Sequence, residues 1–197
     1  MQFTVPVPYA PGIDKSLMRT RSARAVIVVA ASAFVAVCAH LSVPLWFTPV
    51  PLSLVNFAVI LVGLALGPAA GSLAMVVYLA EGACGLPVFS PHGLGGVAQL
   101  LGPTGGFLLS YPLIAAVAGS IARMRLFGRA AFLAALCGSV AATLLLFAIG
   151  AGWLAYVDHL GAAAAFWLGV APFLPGEAAK IAAASGIYTT ILQSRRT

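Results

Sequence analysis

Residues 130–153 read AAFLAALCGSVAATLLLFAIGAGW, a run with no charged side chain. A helix needs about 20 apolar residues to cross the hydrocarbon core of a bilayer, and this run supplies them. It offers water no charged face, so it reads as a membrane span and governs how the rest of the chain is read. The composition agrees: 62% of the 197 residues are hydrophobic and only 7% are charged, against about 25% charged in a soluble domain. So few charges cannot cover a water-facing surface. An all-α, polytopic membrane protein is expected.

Five further apolar runs accompany it, at 24–43, 52–66, 69–86, 104–122 and from about 172 or 175 to 192. Pro44, Pro49 and Pro51 break the chain after the first run, and Gly67-Pro68 turns it between the second and third. Residues 87–103 are too rich in Gly and Pro to span, and 161–170 reads as a short, half-buried connector. The first run follows a basic segment as a signal peptide would. Further spans follow it, however, and Val37 before Cys38 is a poor lipoprotein context, so an uncleaved helix is expected.

Nine of the ten basic residues fall in three clusters at span ends: Lys15, Arg19, Arg21 and Arg24; Arg123, Arg125 and Arg129; Arg195 and Arg196. Six spans place all three clusters on one side, which the positive-inside rule assigns to the cytoplasm. Five or seven would strand a cluster outside. The expected architecture is a compact bundle of six transmembrane helices over 24–192, between a cytoplasmic N-terminal segment, 1–23, and a cytoplasmic tail, 193–197. Both termini are cytoplasmic and the chain is multi-pass in the cell inner (cytoplasmic) membrane. The formal charge of +6 thus describes topology, with no aromatic-laced basic face for nucleic acid. Cys38, Cys84 and Cys137 lack the spacing of a zinc site or disulfide frame and read as small packing residues.

The tenth base, Lys180, lies inside an apolar stretch about 12 Å along the last span at 1.5 Å per residue. A charge at membrane depth costs about 2.5–3.5 kcal/mol on insertion scales, so it is offset by a partner or kept for a function. Glu177, one of four acids, precedes it at i−3 on the same helix face. Two readings stay open: an intrahelical salt bridge that eases insertion, or a ligand clamp whose carboxylate accepts N–H groups and whose ammonium meets a ligand carboxylate or carbonyl. Under the six-span topology Trp46, Phe47, Asn56, Glu81, Ser90, His92, Gln99, Trp153, Tyr156, Asp158 and His159 all fall in the outer half. They form a polar, aromatic cup above an inner half of Ala, Val, Leu and Gly.

Glu81, beside Tyr78, either faces this cup as a second acceptor or reaches the interface. His92 sits in a loop, Trp46 and Phe89 beside prolines could wall or lid the cup, and Gln99 stands out among Val, Ala and Leu. Small residues recur at helical spacing in Gly63/Gly67/Gly71, Ala134/Gly138/Ala142 and Ala178/Ala182/Gly186. Such faces serve internal packing or a partner subunit. The Gly102-Pro103-Thr104-Gly105-Gly106 segment lacks the Gly-Lys-Ser/Thr ending of a nucleotide loop and reads as a tightly packed turn. With no Walker motif, Ser/His/Asp set or metal grouping, the chain is expected to be no enzyme and to need no cofactor. Energy for uphill transport would come from an ion gradient or another subunit.

Several segments resemble the BioY family, the biotin-binding S components of energy-coupling factor (ECF) transporters. Residues 46–54 (WFTPVPLSL) are similar to its proline-rich first loop. Residues 78–82 (YLAEG), 85–89 (GLPVF) and 101–107 (LGPTGGF) resemble its central signature, and 172–180 (PFLPGEAAK) its final motif. The resemblance implies a six-helix bundle with an outward-facing site for biotin as transported ligand, a transmembrane coupling subunit, two ABC ATPase subunits and a lipid bilayer as partners. It implies ligand contacts at Glu177 and Lys180 and among Phe89, Ser90 and His92. Val55 stands where the family has Gln, with Asn56 as a substitute, and Glu177 where it often has Asp. For the family's span-one docking pair, only Ser32 and Ala36 have the required spacing. The competing expectations are a self-sufficient proton-coupled small-molecule carrier using Glu81 or Glu177, and a scaffold without ligand.

Overall fold

The computed structural model describes residues 20–124 and 130–194. Lys15, Arg19, Arg125, Arg129, Arg195 and Arg196, with nearly all of the 1–23 segment and most of the 193–197 tail, lie outside the described residues. Eight α-helices follow in order among the described residues: α1 Arg21–His40, α2 Val55–Leu66, α3 Pro68–Ala83, α4 Gly96–Leu101, α5 Gly105–Ile121, α6 Ala131–Val157, α7 Ala162–Gly169 and α8 Leu174–Ser194. Among the described residues, three helical stretches are long and apolar enough to cross a membrane, at Ser22–His40, Ala131–Val157 and Ala162–Ser194; α2 and α5 are shorter apolar helices. The 161–170 connector is itself a helix, and the Gly-rich 87–103 stretch contains α4.

The all-α expectation has one small exception. Residues Ser42–Val43 (β1) pair antiparallel with Leu52–Ser53 (β2), in register Ser42 to Ser53 and Val43 to Leu52. The ladder folds the intervening proline-rich loop back over the bundle. Thr48 fixes its far side, donating its hydroxyl to the Leu168 carbonyl at 2.7 Å and accepting the Val50 N–H at 3.2 Å.

α2 is the central helix, packed against α1, α3, α5 and α8. Val55, Asn56, Ala58, Val59, Ile60, Val62, Gly63 and Leu64 are all buried, as expected for a helix apolar all round. Close approach needs glycine here: a Cβ at Gly63 would lie 2.4 Å from the Ala115 carbonyl oxygen, and one at Gly119 would lie 2.5 Å from that of Gly63. Gly138 meets Ala118 in the same way on the α5–α6 contact. Two of the three small-residue series therefore serve internal packing, while Ala178 and Ala182 of the third are exposed.

Arg123 secures one end of this core. Its guanidinium donates to the carbonyls of Gly119 and Leu64, both at 2.9 Å, so a cation sits on the last turn of α2. Glu177 engages the opposite, N-terminal end of α2 through Asn56. Both charges match the helix dipole. The half beyond the cup is less dry than expected, because Ser139, Thr143, Ser185 and Tyr188 are buried between α6 and α8. The Ser139 and Ser185 hydroxyls are 3.4 Å apart.

Candidate binding site

The Glu177–Lys180 pair occupies the first turns of α8, which begins directly after a short 3-10 turn, Ala171–Phe173. The spacing seen in the sequence becomes contact: Lys180 Nζ donates to Glu177 Oε1 at 2.7 Å, with both side chains largely buried. Glu177 Oε2 accepts the side-chain N–H of Asn56 from α2. The carboxylate thus ties α8 to α2 with one oxygen while the other holds the ammonium. A buried ion pair at this depth requires such a network, since desolvating both charges is only repaid when their hydrogen bonds are made.

These three residues form one wall of a cleft enclosing about 670 Å³ including its open mouth. Tyr78 of α3, Gln99 of α4, Ser90 of the α3–α4 loop, and Val50 and Pro51 of the folded loop also line it. Apolar walls come from Phe107 and Tyr111 of α5, Phe147 of α6 and Phe173. Every contributing element presents the same end, so the cleft is at the bundle end opposite Arg123. Most of the lining is apolar with a few convergent polar groups, the usual make-up of a small-molecule site.

Two polar atoms facing this cleft are buried and without a hydrogen-bond partner among the described residues: Asn56 Oδ1 and the Tyr78 hydroxyl. Leaving such a group unsatisfied costs about 1–3 kcal/mol. The Tyr78 ring is fixed by edge contact with Phe89, 5.4 Å between centroids, and by Tyr111 at 6.3 Å. Gln99 is held at the cleft because its Oε1 accepts the Gly95 N–H at 3.1 Å.

Lys180, Glu177, Asn56, Tyr78, Ser90 and Gln99 are brought together; four other candidates are not at this cleft. Glu81 accepts a hydrogen bond from the Ser32 hydroxyl of α1 and faces that helix. Phe89 is buried behind Tyr78, against Gly82, where a Cβ would lie 2.1 Å from its ring. His92 lines a neighbouring cleft with Pro44, Thr48 and Leu94, its Nε2 3.3 Å from the Ser42 carbonyl. Trp46 is 95% exposed, its ring packed edge-on against Phe47.

Of the two residues at docking spacing on α1, Ser32 is fully buried and hydrogen-bonds Glu81, whereas Ala36 is half-buried beside the core. Reading the sequence missed Tyr111, Phe107, Phe147 and Phe173. Only Tyr111, a hydroxyl-bearing ring in an otherwise apolar span, carried a signal that could have marked it.

Residues 14–197 match the BioY family. The chain is 42% identical over 136 residues to a probable biotin transporter BioY of Pyrococcus horikoshii, covering 69% of this chain and 76% of that protein. It is 34% identical over 174 residues to a biotin transporter BioY of Rhizobium etli, covering 83% and 90%. A crystal structure of the S-component for biotin from an ECF-type ABC transporter shares the fold, with a TM-score of 0.79 at 23% identity over 90% of this chain and 93% of that one.

Proposed function

The chain belongs to the BioY family, and from that premise we propose that it is the substrate-capture S subunit of an ATP-dependent importer, with biotin as its cargo. The observation that carries this reading is the pair of orphaned polar atoms, Asn56 Oδ1 and the Tyr78 hydroxyl, beside a paired carboxylate and ammonium. Biotin has a ureido ring with two N–H donors and one carbonyl, a thioether and a carboxylate tail. Asn56 Oδ1 and the Glu177 carboxylate are acceptors for the two ureido N–H groups. The Tyr78 hydroxyl and Lys180 are donors for the carbonyl or the carboxylate. Phe107, Tyr111, Phe147 and Phe173 give the bicyclic ring and aliphatic chain apolar contact.

In this reading α1, α2, α3, α5, α6 and α8 are the six spans, with both termini cytoplasmic, the cleft facing outward and the proline-rich loop as its cover. α2 is only about 18 Å long at 1.5 Å per residue. Its central position makes that length sufficient, because folded loops cover one end and Arg123 the other. A transmembrane coupling subunit and two ABC ATPases supply the energy in the cell inner membrane. The test is a melting series of the purified protein against a vitamin panel. Biotin at about 100 times its Kd should add about 2.7 kcal/mol of stability by mass action, while thiamine and riboflavin leave the melting point unmoved. A flat response to biotin removes the ligand assignment.

A further inference from the structure

The Gly102-Pro103-Thr104-Gly105-Gly106 turn, which joins α4 to α5, is held by a residue of α6 that does not itself line the biotin cleft. We infer that this residue, Trp153, is a positioning residue for the cargo site: its indole N–H fixes the turn and, through it, the cleft wall made by Gln99, Thr104 and Phe107. The inference rests on the reading of that cleft as the biotin site. Trp153 Nε1 donates to the Gly102 carbonyl at 2.9 Å. The same oxygen accepts the Gly105 N–H at 2.9 Å, so one carbonyl both closes the turn and ties it to α6. Thr104, the N-cap residue of α5, makes no capping hydrogen bond with its side chain, so α5 does not secure the turn by itself.

Packing makes the same connection. A Cβ on Gly106 would overlap that of Trp153, and a Cβ on Gly150, the turn before Trp153 on α6, would overlap the Phe107 ring. Each helix thus offers a glycine to the other's aromatic side chain, and this reciprocal fit sets the register of α5 against α6 beside the cleft. Gly105 is equally tight against the Leu100 carbonyl, which brings the end of α4 onto the start of α5. Gln99 and Thr104 both line the cleft and lie within three residues of Gly102. A shift of the Gly102 carbonyl therefore moves polar groups of the wall, and hydrogen bonds weaken steeply once misaligned. A tryptophan kept only for the membrane interface turns the polar end of its ring toward the head groups. Trp153, half-buried, spends its N–H on the backbone of a neighbouring turn.

The test uses two replacements in the purified full chain. Trp153→Phe keeps a ring against Gly106 and removes the N–H. Benzothienylalanine at position 153, which puts sulfur in place of the indole N–H, removes the donor alone and serves where phenylalanine disturbs folding. Calorimetric titration with biotin reads both the Kd and the fraction of chains that bind. Either replacement should raise the Kd about two- to tenfold, the worth of one net hydrogen bond, with the binding fraction unchanged. A merely structural tryptophan would lower the binding fraction or the Tm and leave the Kd of the folded chains as it was, which overturns the inference. Thr104→Ala supplies the second arm. If Trp153 acts through the turn, its effect on the Kd should shrink toward onefold in that background, and an equal effect in both backgrounds overturns the inference as well. Absence of biotin binding by the wild type would remove the cargo reading and the inference with it. Wild-type binding with an unchanged Kd in the benzothienylalanine chain removes the inference alone.

Discussion

Tyr78→Phe separates a residue kept for a ligand from one kept for the fold. The ring is fully buried and makes its contacts with Phe89 and Tyr111 through carbon, so phenylalanine preserves the packing. Only the hydroxyl is removed, and it has no protein partner among the described residues. An unsatisfied buried hydroxyl costs about 1–3 kcal/mol; the mouth of the cleft admits some water, which places this one near the low end. The unliganded variant should therefore be more stable by about 1 kcal/mol, a rise in Tm of roughly 2–4 °C for a chain of this size. Biotin loses one net hydrogen bond of about 0.5–1.5 kcal/mol, so its Kd should rise roughly 2- to 13-fold. Calorimetry for the Kd and a detergent-solubilised thermal melt for the Tm measure both on one preparation. Saturating biotin should shrink the variant's stability advantage, because the ligand satisfies the wild-type hydroxyl. A lower Tm with an unchanged Kd would refute the reasoning and make the hydroxyl a structural group.

Gly63→Val puts a branched side chain where a Cβ already lies 2.4 Å from the Ala115 carbonyl. Overpacking of about 1–3 kcal/mol should lower the melting point and reduce the folded yield, whereas an unchanged melt would contradict the close α2–α5 contact. In cells, biotin uptake should stop when ATP is depleted and the proton gradient maintained. Uptake that follows the gradient alone would make the chain a self-sufficient proton-coupled carrier.

Class and broad plan are legible in the sequence because they rest on sums over many residues: long charge-free runs and basic clusters at their ends. Boundaries of α5, α6 and α8 lie within a few residues of the apolar runs. Short elements are not legible. α4 opens on Gly95 and Gly96, both with positive φ, which read locally as breakers, and the two-residue ladder has no periodicity to detect. The Glu177–Lys180 contact is legible because i and i+3 are neighbours on any helix.

Glu81 is different. It lies three residues after Tyr78, about 60° away around the helix at 3.6 residues per turn. That rotation turns it from the cleft to Ser32, and no local pattern in an apolar helix reveals which face meets which neighbour. The aromatic walls were hidden for the same reason: Phe107, Phe147 and Phe173 look like any other apolar residue of a span until α5, α6 and the 3-10 turn converge. The buried hydroxyls of Ser139, Thr143, Ser185 and Tyr188 appear as a group only once α6 and α8 pair.

Equilibrium binding of radiolabelled biotin to the purified chain, compared with the Glu177→Ala/Lys180→Ala double variant, tests the central claim most directly. Saturable binding by the wild type and its collapse in a folded double variant is the predicted result. Undiminished binding in the double variant would show that the buried charge pair serves insertion alone and that the cargo is held elsewhere.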